Sequence, residues 1–100
     1  MDSNGYNRSI FGSEDGTCYV LGVKTQTVRH EIFNGAYRQI SKADGLWIAV
    51  APEVHEQLHM DKTEGSQWNL LMKRGEALWL AEDWDRTVQD FVNRYGKNYI

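Results

Sequence analysis

This sequence predicts an α+β domain, and three features carry that expectation. Val28–Phe33 alternates like a short strand, and Leu46–Ala51 is a short apolar run, the pattern of a strand covered on both faces. Beyond Pro52, apolar residues recur three and four positions apart, the period of helices that bury one side.

Residues 1–17 are rich in Ser, Asn, Gly and Asp without a sustained period, which predicts a mobile or irregular lead-in. A single domain is then expected over residues 18–100. It opens with Cys18–Val23, a strand or knuckle, and a polar turn at Lys24–Thr27. After the strand Val28–Phe33, Asn34-Gly35 marks a tight turn. Ala36–Gly45 reads as a loop or one helical turn closed by Asp44-Gly45, and Leu46–Ala51 as the second strand. Pro52 suits the first turn of a helix, where no N–H is missed.

A break follows near Met60–Ser66, with Asp61 or Ser66 as the cap of the next helix. That helix carries Trp68, Leu71, Met72, Leu78 and Trp79 and is interrupted only by Gly75. A last helix begins near Asp85, shows Val88, Phe91, Val92 and Tyr95 on one face, and ends at Gly96. Trp47, Trp68 and Trp79 read as core, Trp84 as a staple at the helix joint, and Gly96–Ile100 as a docked tail.

Bulk properties narrow the function classes. The chain has 100 residues, 41% of them apolar, with four Trp, one Pro and one Cys. That suffices for one modest core. No apolar run approaches the ~20 residues of a membrane span, and no secretory layout opens the chain. A lone cysteine excludes an internal disulfide and fits a reducing, cytoplasmic setting. The formal charge of −3 argues against a protein coated with basic residues for nucleic acid. Charge is nevertheless uneven: Lys24, Arg29, Arg38 and Lys42 stand against Glu31 alone, whereas Glu53–Glu64 is acidic. A basic hairpin beside an acidic helix suits a phosphate backbone meeting a metal-holding face, and equally an ordinary mixed surface.

All three histidines fall between Val28 and Met60. His55 and His59 stand at i and i+4 of the Pro52 helix and share one face. His30, on the first strand, can be returned to them by the hairpin. Three imidazoles from strand and helix match a divalent-metal site for phosphodiester chemistry.

With these residues placed, the chain resembles the His-Asn-His (HNH) endonucleases of the ββα-metal (His-Me finger) fold, nearest to the small versions common in phages and prophages. The likeness runs over roughly Cys18–Ile100. Cys18-Tyr19-Val20-Leu21-Gly22 resembles the family's Cys-x-x-Cys-Gly knuckle, and Arg29-His30-Glu31-Ile32-Phe33 its histidine strand. Gly35-Ala36-Tyr37-Arg38 through Ser41 and Gly45-Leu46 resembles its connection, and Phe91–Ile100 the tail that ends many of these phage proteins. The implied fold is a ββα-metal core with additional C-terminal helices.

Three departures qualify the likeness. The positions that hold a structural zinc in many relatives are here Cys18, Leu21, Ala51 and Val54. No structural zinc is expected, since a closed site needs about four ligands; an apolar cluster is expected instead, with Cys18 a buried free thiol. Glu31 stands where the family usually has its general-base histidine. It can act as base if desolvated or bind the ion itself, and in a regular strand His30 and Glu31 point to opposite faces. Either is then the base and the other faces the metal. The family's middle asparagine has no clear counterpart, although Asn34 is near.

The resemblance implies a metal-dependent DNA endonuclease of phage or prophage type, working in the host cytoplasm. His30, His55 and His59 would hold Mg, Mn, Ni or Zn; His30 and Glu31 are the catalytic pair; Arg38, Arg29 and Lys42 would contact phosphates. The bland alternative for Arg38 is an ion pair with Asp44 or Glu31. A homodimer would suit cutting both strands. The rival class is a catalytically degenerate descendant that binds nucleic acid or a host protein, for example as an inhibitor of a host defence protein.

Overall fold

In a computed structural model describing residues 1–100, two four-residue strands pair antiparallel: β1 (Val28–Glu31) and β2 (Trp47–Val50). The register sets Val28 opposite Val50, Arg29 opposite Ala49, His30 opposite Ile48 and Glu31 opposite Trp47. Both strands are shorter than their sequence patterns suggest. Ile32 still donates its N–H to the Leu46 carbonyl (3.0 Å), but Ile32 and Phe33 then leave the ladder to fill the core. All four β2 residues are buried, in keeping with the unbroken apolar run.

The connection is more ordered than a loop. Gly35 takes φ +60°, a conformation that disfavours a side chain, and opens a 3-10 turn (Gly35–Tyr37) leading into α1 (Arg38–Ala43). Gly45 (φ +72°) ends it, and a Cβ there would collide with the Arg8 carbonyl. Ser41, fully buried, ties the ends of the connection: its Oγ donates to the Leu46 carbonyl (2.6 Å) and accepts from the Phe33 N–H (3.2 Å).

Pro52 begins α2 (Pro52–His59), which buries Val54 and Leu58. Ser66, not Asp61, caps α3 (Gln67–Glu82) by accepting from the Asn69 N–H. This helix runs unbroken through Gly75, where a Cβ would touch Ile32, Leu46 and Phe11 at 3.4 Å. The missing side chain lets α3 sit close on the core. α4 starts at Val88, later than expected, behind a Thr87–Asp90 capping box, and ends at Gly96 in the left-handed region. Phe91 and Tyr95 are the α4 side chains that bury. Trp84 is 90% exposed and staples nothing.

A two-stranded sheet is marginal by itself, and here the N-terminal segment covers its open edge. Ser9 Oγ donates to the Trp47 carbonyl (2.7 Å), the Ala49 N–H donates to Ser13 Oγ (2.8 Å), and the Tyr19 N–H donates to the Ala49 carbonyl (2.8 Å). Asn7 and Ile10 donate backbone N–H groups to the Lys42 and Gly45 carbonyls. The lead-in is irregular as expected, but it is docked rather than trailing, because hydroxyls and backbone supply the partners β2 lacks.

Cys18–Val23 forms a tight knuckle closed by Cys18 N–H to Val23 O (2.9 Å) and Gly22 N–H to Cys18 O (2.7 Å). Cys18, Ala51 and Val54 do join the core, but Leu21 is 55% exposed at the knuckle tip. The expected four-residue apolar cluster is therefore a cluster of three. No helix is long and apolar enough to cross a membrane.

Candidate metal centre

His30 stands in the middle of β1, and its ring points at α2. Because Val54 and Leu58 face the core, the next positions on the helix, His55 and His59, turn toward β1. One ligand nitrogen from each of the three rings lies within 4.8 Å of the others, and the Nε2 atoms of His55 and His59 are 3.1 Å apart. Ligands ~2.0–2.1 Å from a tetrahedral ion stand about 3.3 Å from one another. The helical pair already has nearly that spacing, and His59 is exposed and His55 half-buried.

His30 is 1% exposed, yet neither of its ring nitrogens has a hydrogen-bond partner. A buried polar atom without a partner costs about 1–3 kcal/mol, so the pair calls for an explanation. Trp68 holds the ring in place: its indole packs edge-on to His30 (4.7 Å between centroids) and His59 (4.8 Å). Its own Nε1 donates to the Ile32 carbonyl (2.9 Å).

Burial, reinforced by the nearby His55, His59 and Lys62 charges, pushes His30 down to about 3. Burial likewise lowers His55, with His59 adding to the effect and Glu31 opposing it. Neutral imidazole is the form that ligates metal. A set of three protein ligands leaves positions open, as in catalytic rather than structural sites.

The cluster lines a cleft of about 450 Å³ with no hydrophobic lining residue. Glu31 and Arg38 form another part of its wall, with Arg38 Nε donating to Glu31 Oε1 at 2.5 Å. The Arg38 partner is thus Glu31; Asp44 is taken by Arg94 and the Tyr95 hydroxyl. Glu31 lies outside the three-histidine set. Its position at the end of β1 nevertheless keeps it at the cleft.

Two of the three expected phosphate contacts already have partners, although Arg29 also lines the cleft. Arg29 donates through Nε and Nη2 to Asp15 and through Nη1 to Asp2. It also lies 4.5 Å from both the Tyr6 and Trp47 ring centroids. Lys42 is 8% exposed, sits over Tyr6 and donates to the Asn4 carbonyl. Both cations fasten the N-terminal segment to the sheet. Arg38, with a side chain 57% exposed, remains open to solvent.

Sequence reasoning missed Lys62 and named Asn34 only as lying near the expected asparagine. Asn34 lines the cleft; its Asn-Gly context signalled only a turn. Lys62 Nζ donates to Asn34 Oδ1 (3.0 Å) and stands 4.5 Å from the Trp68 ring centroid. Three positions beyond His59, it falls in the segment read as a helix break. In comparisons with known proteins, no family model, no curated protein and no solved structure matches the chain.

Proposed function

We propose that the chain is a metal-dependent phosphodiesterase, a DNA endonuclease of the ββα-metal kind, with His30, His55 and His59 holding a divalent ion. The observation that carries this reading is the pair of unpartnered, buried His30 nitrogens among two further imidazoles at an open polar cleft. The order strand, connection, strand, helix, with histidines on β1 and α2, agrees with it. Bound there, a divalent ion supplies Lewis-acid stabilisation of charge on a scissile phosphate.

The chain's own groups divide the remaining work. His30, packed against the other two rings, serves as ligand, which leaves Glu31 to accept the proton of an attacking water. Arg38 holds that carboxylate and offers its exposed edge to a neighbouring phosphate oxygen. Asn34 lines the cleft and carries Lys62 beside it, a further polar edge for the bound strand.

Titrating the metal-free protein with Mn and Zn by calorimetry, beside His55→Ala and His59→Ala, tests the site. About one ion per chain is expected for three ligands, lost in both variants, together with nicking of supercoiled DNA by the loaded wild type. Absence of binding by a folded wild type refutes the proposal. The second reading, a non-catalytic module that binds a host protein, is favoured by the engagement of Arg29 and Lys42. Metal binding without cleavage of duplex or single strand would turn the choice toward it.

A further inference from the structure

Beside the histidine cleft lies a second cavity, of about 180 Å³, and Asn34 is part of both walls. Phe33, Tyr37, Met72 and Tyr99 give it apolar and aromatic sides, and Lys62 stands at its rim bonded to Asn34. The Phe33 and Tyr99 rings are 5.3 Å apart and tilted, and Tyr37 is 36% exposed. The cavity therefore has an accessible aromatic wall. Its volume is below the ~300–1,000 Å³ that takes a whole drug-sized ligand and near that of one planar ring system. A polar cleft for phosphate that shares one amide wall with a ring-sized aromatic cavity has the layout of a single nucleotide.

The geometry points to an unpaired nucleobase as the occupant of this cavity, next to the phosphate held at the histidines. It rests on the phosphodiesterase reading and sharpens its substrate class. Bases in a duplex are stacked and paired and cannot enter a side pocket without extrusion. The preferred substrate is therefore single-stranded DNA, or a duplex with an unpaired nucleotide at the cut. Aromatic walls recognise any base through its π-face, so the cavity selects strandedness rather than sequence. Asn34 Nδ2 and Lys62 Nζ, at the rim, are the polar groups that meet the base edge and its phosphate.

Fluorescence anisotropy of a labelled single strand of about 12 nucleotides, and of the same strand annealed, tests this at one fixed salt concentration, with Mn present or with chelator. The single strand is expected to bind at least about tenfold tighter than the duplex. Ala36→Trp, which fills the cavity from its exposed lip, and Tyr37→Ala should each remove about fivefold to a hundredfold of single-strand affinity, the range of one base stack. Thermal melting of each variant identifies any loss of fold, and Tyr37→Ala decides if Ala36→Trp does not fold. Equal affinity for the two DNA forms, or unchanged single-strand binding by the folded variants, overturns the inference. Metal uptake on the same samples separates the two proposals. Single-strand preference without metal binding keeps the pocket and refutes the hydrolase, whereas metal binding without that preference refutes the pocket alone.

Discussion

Replacing His30 by Leu should make the metal-free protein more stable at neutral pH while destroying the site. In the wild type, the buried ring carries two nitrogens without partners, and removing such atoms in favour of an apolar side chain recovers about 1–3 kcal/mol. The pH dependence gives an independent check. The folded value of His30, about 3, lies below the ordinary ~6.5 of an unfolded chain. Between those values the unfolded state binds one more proton than the folded state. Stability from this group is therefore full above ~6.5 and falls by about 1.4 kcal/mol per pH unit as pH drops toward 3. From pH 7 to pH 5 the loss is roughly 2 kcal/mol. His55, also lowered, adds with the same sign.

Urea unfolding in chelator at pH 7 and pH 5 reads both effects. The Leu variant should start higher and lose about 2 kcal/mol less on acidification. Saturating metal reverses the order, because an ion at about a thousand times its Kd adds about 4.1 kcal/mol to the wild type alone. An unchanged pH slope, or a Leu variant several kcal/mol weaker at pH 7, would refute the picture of a strained, neutral, unpartnered ring.

Three further outcomes follow from the packing. Ser41→Ala strands the Phe33 N–H in the core and leaves the Leu46 carbonyl with the Ile32 N–H as its remaining donor, and a loss of about 1–3 kcal/mol is expected in urea unfolding. Thr87→Ala removes half of the α4 capping box and should cost about 1 kcal/mol in the same assay. Arg29→Ala releases Asp2, Asp15 and the edge-to-face Tyr6–Trp47 pair together. Amide exchange over residues 2–15 should then accelerate while metal affinity at the histidines holds. Exchange unchanged there would show that the segment docks without that arginine.

What was legible in the sequence is what depends on local periodicity. The i, i+4 spacing of His55 and His59 was enough to put both rings on one face of α2, and Asn34-Gly35, Pro52 and Gly96 marked turns and ends because their backbone chemistry is intrinsic. Which of His30 and Glu31 would be enclosed among the rings was not legible. Alternation says only that they diverge, and it takes Trp68, 38 residues away in the chain, to enclose one of them. The partners of Arg29 and Lys42 were not legible for a related reason: a basic residue beside a histidine strand reads as a phosphate contact, and Asp2, Asp15 and Tyr6 arrive from a segment that composition marks as mobile. That segment docks by hydroxyls and backbone groups, which hydropathy does not register.

The same distinction bears on the chemistry. Arg29 and Lys42 hold the N-terminal segment, so the cations lining the cleft are Arg29, bound to two carboxylates, and Arg38, paired to Glu31, with Lys62 beside Asn34 at its edge. Few free cations fit a short, local grip on one or two phosphates better than a long duplex track, whose binding would draw on many phosphate contacts and respond steeply to salt. A shallow salt dependence is therefore the expected companion of the proposed site, at which an ion, one phosphate and one base would be recognised.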